Sequence, residues 1–128
     1  MVKKFLILFV TATFFLNCST SDEKQNLDIN VTGKVTNQNN VGVEGVTIFV
    51  LRGKSGGFVA TQYSTYETLI TNSNGNYSYV VKDDNFRYQI CCGIPTGYTI
   101  SGSNCTAVDH SIINSHTIPN KIDFELIK

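Results

Sequence analysis

Three of the chain's four cysteines fall in YQICCGIPTGYTISGSNC, residues 88–105, and two of them, Cys91 and Cys92, are adjacent. Thiols placed like this can do redox chemistry, hold a metal or form a crosslink. Redox chemistry favours a C-x-x-C spacing and a neighbouring cation that stabilises the thiolate. This stretch has no C-x-x-C and no histidine or lysine beside a cysteine. A bond between Cys91 and Cys92 themselves would be strained. Successive residues of a strand point to opposite faces, so only one of the two can meet Cys105. Cys92 is in phase with Tyr88 and Ile90, which are expected to face inward. Cys92–Cys105 is therefore the expected crosslink, and Cys91–Cys105 is the alternative if a bulge at Gly93 exchanges the faces. Either way one thiol is left over.

The remaining groups with chemical potential are few. His110 and His116 lie in DHSIINSH, after Asp109. A general base needs an imidazole oriented against a nucleophile or water, and the sequence supplies no such partner. As zinc ligands these three are widely spaced and too few. Asp83 and Asp84, in KDDNF, lack the oxygen count of a calcium loop and read better as a turn between Val81 and Phe86. No catalytic residue, metal or cofactor is expected.

The surrounding chain sets the frame for these groups. Ten basic and ten acidic residues leave a formal net charge of +0, so no long-range field attracts nucleic acid. A length of 128 residues suits one small domain, whose modest core makes a crosslink worthwhile. Tyrosine and phenylalanine are frequent, tryptophan is absent, and no long segment has helical periodicity. That mix favours strands joined by many turns.

MVKKFLILFVTATFFLNC opens the chain. Lys3 and Lys4 precede an apolar run, residues 5–16, too short to span a bilayer comfortably. The layout resembles a bacterial lipoprotein signal. That resemblance implies removal of residues 1–17 and acylation (palmitate) of Cys18 as the first mature residue. Asn17 departs from the small residue usual before the cysteine. An uncleaved anchor or an ordinary secretory signal is the alternative. Residues 18–27 are polar and read as a flexible tether. Asp22 and Glu23 resemble acidic tags that send some lipoproteins to the cell surface. The expected location is the outer membrane, lipid-anchored, facing either the periplasm or the cell exterior. Export also explains why a disulfide would persist.

Residues 28–128 form the expected domain. In VTGKVTNQNNVGVEGVTIFV, residues 31–50, the inward set is Val31, Gly33 and Val35, then Val46, Ile48 and Val50. In TNSNGNYSYVV, residues 71–81, an Asn-Gly turn leads into Tyr77, Tyr79 and Val81. Phe86, Tyr88 and Ile90 alternate likewise, as do Tyr98 with Ile100, and Ile122, Phe124 and Leu126 near the end. The first two segments resemble the carboxypeptidase regulatory-like domain pattern, G-x-V-x-D-x-x-G-x-P-L-x-G-V-x-V-x-V followed by T-D-x-x-G-x-Y-x-L. Gly33, Val35, Val43, Gly45, Val46, Ile48 and Val50 match the first part; Thr71, Gly75, Tyr77 and Tyr79 match the second. Asn37 and Asn72 stand for Asp, Asn40 for Gly and Gly42 for Pro. YQICCGIPTGYTIS is similar to the ending of collagen-adhesin B-type domains.

The resemblance implies an all-β fold, a seven-stranded Greek-key β-sandwich of transthyretin type. It implies little about function, because the fold is a general-purpose module. Hydrolases within that fold family use paired histidine and arginine residues and a C-terminal Tyr-Arg-Gly-Ser. This chain ends FELIK, so no enzyme is expected. Some collagen-adhesin domains carry an internal Lys–Asn bond. Lys34 is out of phase with the inward set and should face solvent, which argues against one here. The insert RGKSGGFVATQYSTYE, residues 52–67, offers Phe58, Tyr63 and Tyr66. These aromatics either form a platform for a sugar or a protein, or cover the open end of the sandwich. The expected function is a non-catalytic envelope lipoprotein, a structural, adhesive or accessory binding module. The alternative is a carbohydrate-binding accessory protein using the insert. The expected partners are the membrane, through the lipid, and an envelope protein or glycan.

Overall fold

The alternation read from the sequence becomes two facing sheets. The structure, a computed structural model, describes residues 28–83, 85–110 and 120–128. The signal segment, Cys18 and its tether, Asp84 and His116 lie outside the described residues.

One sheet is built on β1 (Ile29–Asn37), with β4 (Asn76–Val81) antiparallel on one side and β9 (Phe124–Ile127) parallel on the other. β8 (Asn120–Lys121) also pairs with β1, and β6 (Thr99–Ile100) pairs with β9. The second sheet runs β3 (Ser64–Ile70), β2 (Thr47–Gly53), β5 (Arg87–Cys92), β7 (Cys105–Ala107). The all-β sandwich class stands. The strand count differs from the expected seven: nine strands lie among the described residues. Three of them, β6, β7 and β8, are only two or three residues long, too short for a period of two to register.

The inward set closes the core between the sheets. Val31, Val35, Val46, Ile48, Val50, Val81, Ile90 and Leu126 are essentially without exposure. Each buried aliphatic side chain contributes about 1.5–3 kcal/mol relative to an exposed one. Gly33 shares their phase for a different reason. A Cβ there would run into the Ile122 carbonyl and the Tyr77 ring. The Tyr77 hydroxyl donates to that same carbonyl at 2.6 Å. The missing side chain thus lets a tyrosine lie flat across β1 and tie β4 to the chain between β8 and β9.

Two turns at one end of the sandwich have the same hydrogen bonding. Asn37 Oδ1 accepts from the amides of Asn39 and Val41, and Asn72 Oδ1 accepts from those of Asn74 and Asn76. The fourth residue of each turn, Asn40 or Gly75, takes positive φ, 59° or 77°. Asparagine and glycine occupy that region at low cost. Asparagine thus supplies the acceptor that an aspartate would supply at both positions. Thr71, buried beside the second turn, receives the Val46 amide at 2.9 Å and donates to the Val43 carbonyl at 2.7 Å. It thereby fixes the entry to β2 against the exit from β3.

Candidate functional site

The cysteines are settled by register. β5 and β7 pair antiparallel with Cys91 directly opposite Cys105, and these two form the disulfide. Cys92 is a buried free thiol. The expected Cys92–Cys105 bond is thus corrected to its alternative, without a bulge at Gly93. Cys92 does face inward with Tyr88 and Ile90, as its phase required. However, Cys105 sits on the neighbouring strand of the same sheet, and directly opposed residues of neighbouring strands share a face. That face is the outer one. The amide of Cys92 donates to the Asn104 carbonyl at 2.7 Å. The 91/105 pair is therefore a non-hydrogen-bonded one, where opposed side chains come closest. Phe49 is opposite Cys91 on its other side, in β2, and Cys91 is buried despite pointing outward. Burial pushes the Cys92 thiol up from 9.0 to about 11, so at neutral pH it stays protonated and poorly nucleophilic.

The carboxylates and histidines mainly serve the frame. Asp83 Oδ1 accepts from the Asn85 amide at 3.0 Å and from its side-chain nitrogen at 2.7 Å. These bonds hold its carboxyl below the usual range. The segment is a turn between β4 and β5, as read. His110 stacks on the buried Tyr88, centroids 6.1 Å apart. Asn120 clamps the Asp109 backbone, receiving its amide at 2.8 Å and donating to its carbonyl at 3.2 Å. Among the described residues no three His, Cys, Asp or Glu side chains gather as a metal site would need.

Two surfaces remain. The first is the insert between β2 and β3. Gly57 turns at φ 51°, the Val59 amide donates to the Gly56 carbonyl at 2.8 Å, and Phe58 projects from the tip. Phe58 is fully exposed and Val59 is 68% exposed. Tyr66 is drawn elsewhere. The Arg52 guanidinium sits 3.7 Å over its ring and 4.4 Å from that of Phe86, with Lys54 5.6 Å from Phe86. Burial pushes the Tyr88 hydroxyl above its ordinary value, which the nearby Arg52 partly offsets. Cation–aromatic contacts of this kind contribute about 0.5–2 kcal/mol. Tyr63 is half-buried at the exit of the loop. Among the described residues, no ring stacking joins Phe58, Tyr63 and Tyr66. The expected aromatic trio therefore divides into an exposed tip and a cation-filled stack. Sequence reading missed Arg52 and Phe86 as members of that stack. The signal was the cross-strand neighbourhood of Arg52, opposite Ser64 and one diagonal step from Tyr66. Reading it requires the register across a long loop.

The second surface is a groove of about 770 Å³ beside the edge strands, lined by Leu69, Ile70, Lys34, Tyr77, Lys121 and Asp123 among others. Ile70 is 66% exposed. The Lys34 amide donates to Asp123 at 2.9 Å, and Lys121 pairs with Asp123 at 3.4 Å. β3 pairs only with β2 among the described residues and is exposed at every position except the half-buried Leu69. Burial and the nearby Glu67 carboxylate both raise the pKa of the Tyr79 hydroxyl.

Fold and surfaces together define a small β-sandwich that presents an edge strand, a groove and an exposed loop. No protein-family model matches the chain, and no curated protein matches it. Among solved structures it is similar to the shaft pilin spaA from Lactobacillus rhamnosus GG, at 12% identity and a TM-score of 0.55. The alignment covers 79% of this chain and 48% of the pilin chain, so this chain spans about half the pilin's length. At that identity the likeness concerns the fold.

Proposed function

We propose that the chain is a non-catalytic module of the bacterial cell envelope, held at the outer membrane by acylated Cys18, and that it works by contact with an envelope protein. Its finer relationship is to carboxypeptidase regulatory-like domains, on the motifs at 31–50 and 71–81, and to collagen-adhesin B-type domains, on residues 88–101. The observation that carries the reading is a pilin-like sandwich in which the Cys91–Cys105 crosslink ties β7 to β5. Such a frame keeps its shape while offering β3, an edge that pairs only with β2 among the described residues, and the apolar shoulder of Leu69 and Ile70 beside it. Edge strands and exposed apolar shoulders are surfaces to which partners add. A protein contact is favoured over a sugar platform because Arg52 covers a face of Tyr66 that a sugar ring would need.

A photo-crosslinking residue in place of Ile70 tests this in the native envelope. One defined envelope protein should be captured, and the yield should fall when Leu69 is also replaced by Asp. Glycan binding abolished by Tyr63→Ala and Tyr66→Ala would replace the reading with the carbohydrate one. Substrate turnover lost on His110→Ala would overturn the non-catalytic assignment. The mature N-terminus, read by mass spectrometry, should be a lipidated Cys18.

A further inference from the structure

We propose that the Phe58–Val59 tip is a membrane wedge, which enters the lipid surface to which the N-terminal end of the chain is tethered. The inference rests on the lipid-anchor reading above and adds a second contact with the same bilayer. Topology carries it. β1 starts at Ile29, opposite Val81 at the end of β4. β4 and β5 are joined by residues 82–86, and Arg87 at the start of β5 is opposite Gly53 at the end of β2. The chain therefore enters the domain at the same end from which the insert leaves it. The Ile70 shoulder and the two asparagine turns lie toward the other end, where Thr47 pairs with Ile70.

Distance permits the contact. Ten residues separate Cys18 from Ile29, and a random coil of ten residues has a mean span of roughly 16–19 Å. The anchored end of the sandwich is thus held close to the bilayer, and a loop projecting from that end is the first part of the domain to reach it. Composition suits the contact. Phe58 is the most exposed large apolar side chain among the described residues, and Val59 beside it adds a contiguous apolar surface. An exposed apolar tip of this kind suits the boundary between headgroups and acyl chains.

The absence of tryptophan from the chain makes the test direct. Phe58→Trp supplies a single fluorophore at a fully exposed site, the tip reporter, and Ile70→Trp supplies its counterpart at the other end, the shoulder reporter. Each lipidated, full-length mature protein is reconstituted in phosphatidylethanolamine–phosphatidylglycerol vesicles, with and without lipids brominated on the acyl chains. Emission from the tip reporter should shift to the blue and be quenched by the brominated lipids, while emission from the shoulder reporter keeps its position and intensity. Flotation with the vesicles is followed in parallel. Flotation with an unquenched tip reporter overturns the wedge and leaves the anchor standing. Equal quenching of both reporters overturns it too, since the domain would then lie on the bilayer without orientation. A quenched tip reporter in a protein whose Cys18 is not acylated sustains the wedge and removes the anchor. Failure to float at all overturns the wedge.

Discussion

Reducing the Cys91–Cys105 bond should cost about 3 kcal/mol of stability, and the effect should follow Cys91, not Cys92. The two half-cystines are 14 residues apart in sequence. A closed loop of about 15 residues removes roughly 10 cal/mol/K of unfolded-chain entropy, or about 3 kcal/mol at 25 °C. With a urea slope of about 1.5–2 kcal/mol/M for a small domain, the midpoint should move by about 1.5–2 M. The assay is urea unfolding followed by far-ultraviolet circular dichroism, with and without reductant, on the parent chain, Cys91→Ala and Cys92→Ala. The parent and Cys92→Ala should both lose stability on reduction. Cys92→Ala should in addition start lower by about 1 kcal/mol, because it empties a core position. Cys91→Ala should unfold at the reduced parent's midpoint whether or not reductant is present. A reductant effect that disappears in Cys92→Ala and persists in Cys91→Ala would refute the register reasoning. An effect below about 0.5 kcal/mol in the parent would refute the loop-entropy magnitude.

Other outcomes follow from single contacts. Gly33→Ala should destabilise by about 1–3 kcal/mol or more, measured by thermal unfolding, because Tyr77 and the Ile122 carbonyl occupy the space a methyl group needs. Thr71→Val should cost about 2–3 kcal/mol by leaving the Val46 amide and Val43 carbonyl without their partner, and Thr71→Ser should recover most of it. Stability should fall as pH rises from about 9 toward about 11. In that window the unfolded chain has already released the Cys92 proton that the native state retains. Tyr77 and Tyr79, both raised mainly by burial, extend the loss above their ordinary value of 10.0. Cys92→Ala should remove the early part of that alkaline slope in denaturation curves run at successive pH values.

The long strands other than β3 were legible because each buries one face; β3 is exposed along nearly its whole length, and residues 64–67 were read as part of the insert. Val31, Val35, Val46, Ile48, Val50, Tyr88, Ile90, Phe124 and Leu126 were read as inward, and all are buried. The positive φ at Gly75 was equally legible, since Asn-Gly announces it. Tyr79, Phe86, Tyr98 and Ile100 are only half-buried and pack around the rim of the core. An alternation pattern gives the side a residue faces, not how far the opposite sheet extends over it. β7 escaped notice because three residues contain no period, whereas the strand read at Tyr98 and Ile100 is β6 and the closing strand read over residues 120–128 divides into β8 and β9; all three short strands take their strand character from pairing with longer neighbours.

Sequence by itself determined the class of fold, the two faces of the long strands other than β3 and the fact that Cys91 and Cys92 cannot both bond Cys105. It could do so because these properties depend on neighbours along the chain, through a two-residue repeat and local turn chemistry. Tertiary structure alone decided the rest. It placed β7 beside β5 in one sheet, which gave Cys105 to Cys91 and left Cys92 in the core. It laid Arg52 over Tyr66 and left Phe58 bare. It also brought the start of β1 and the insert to the same end of the sandwich. Each depends on strand order and on register across long loops, and those are set by how two whole sheets fit together.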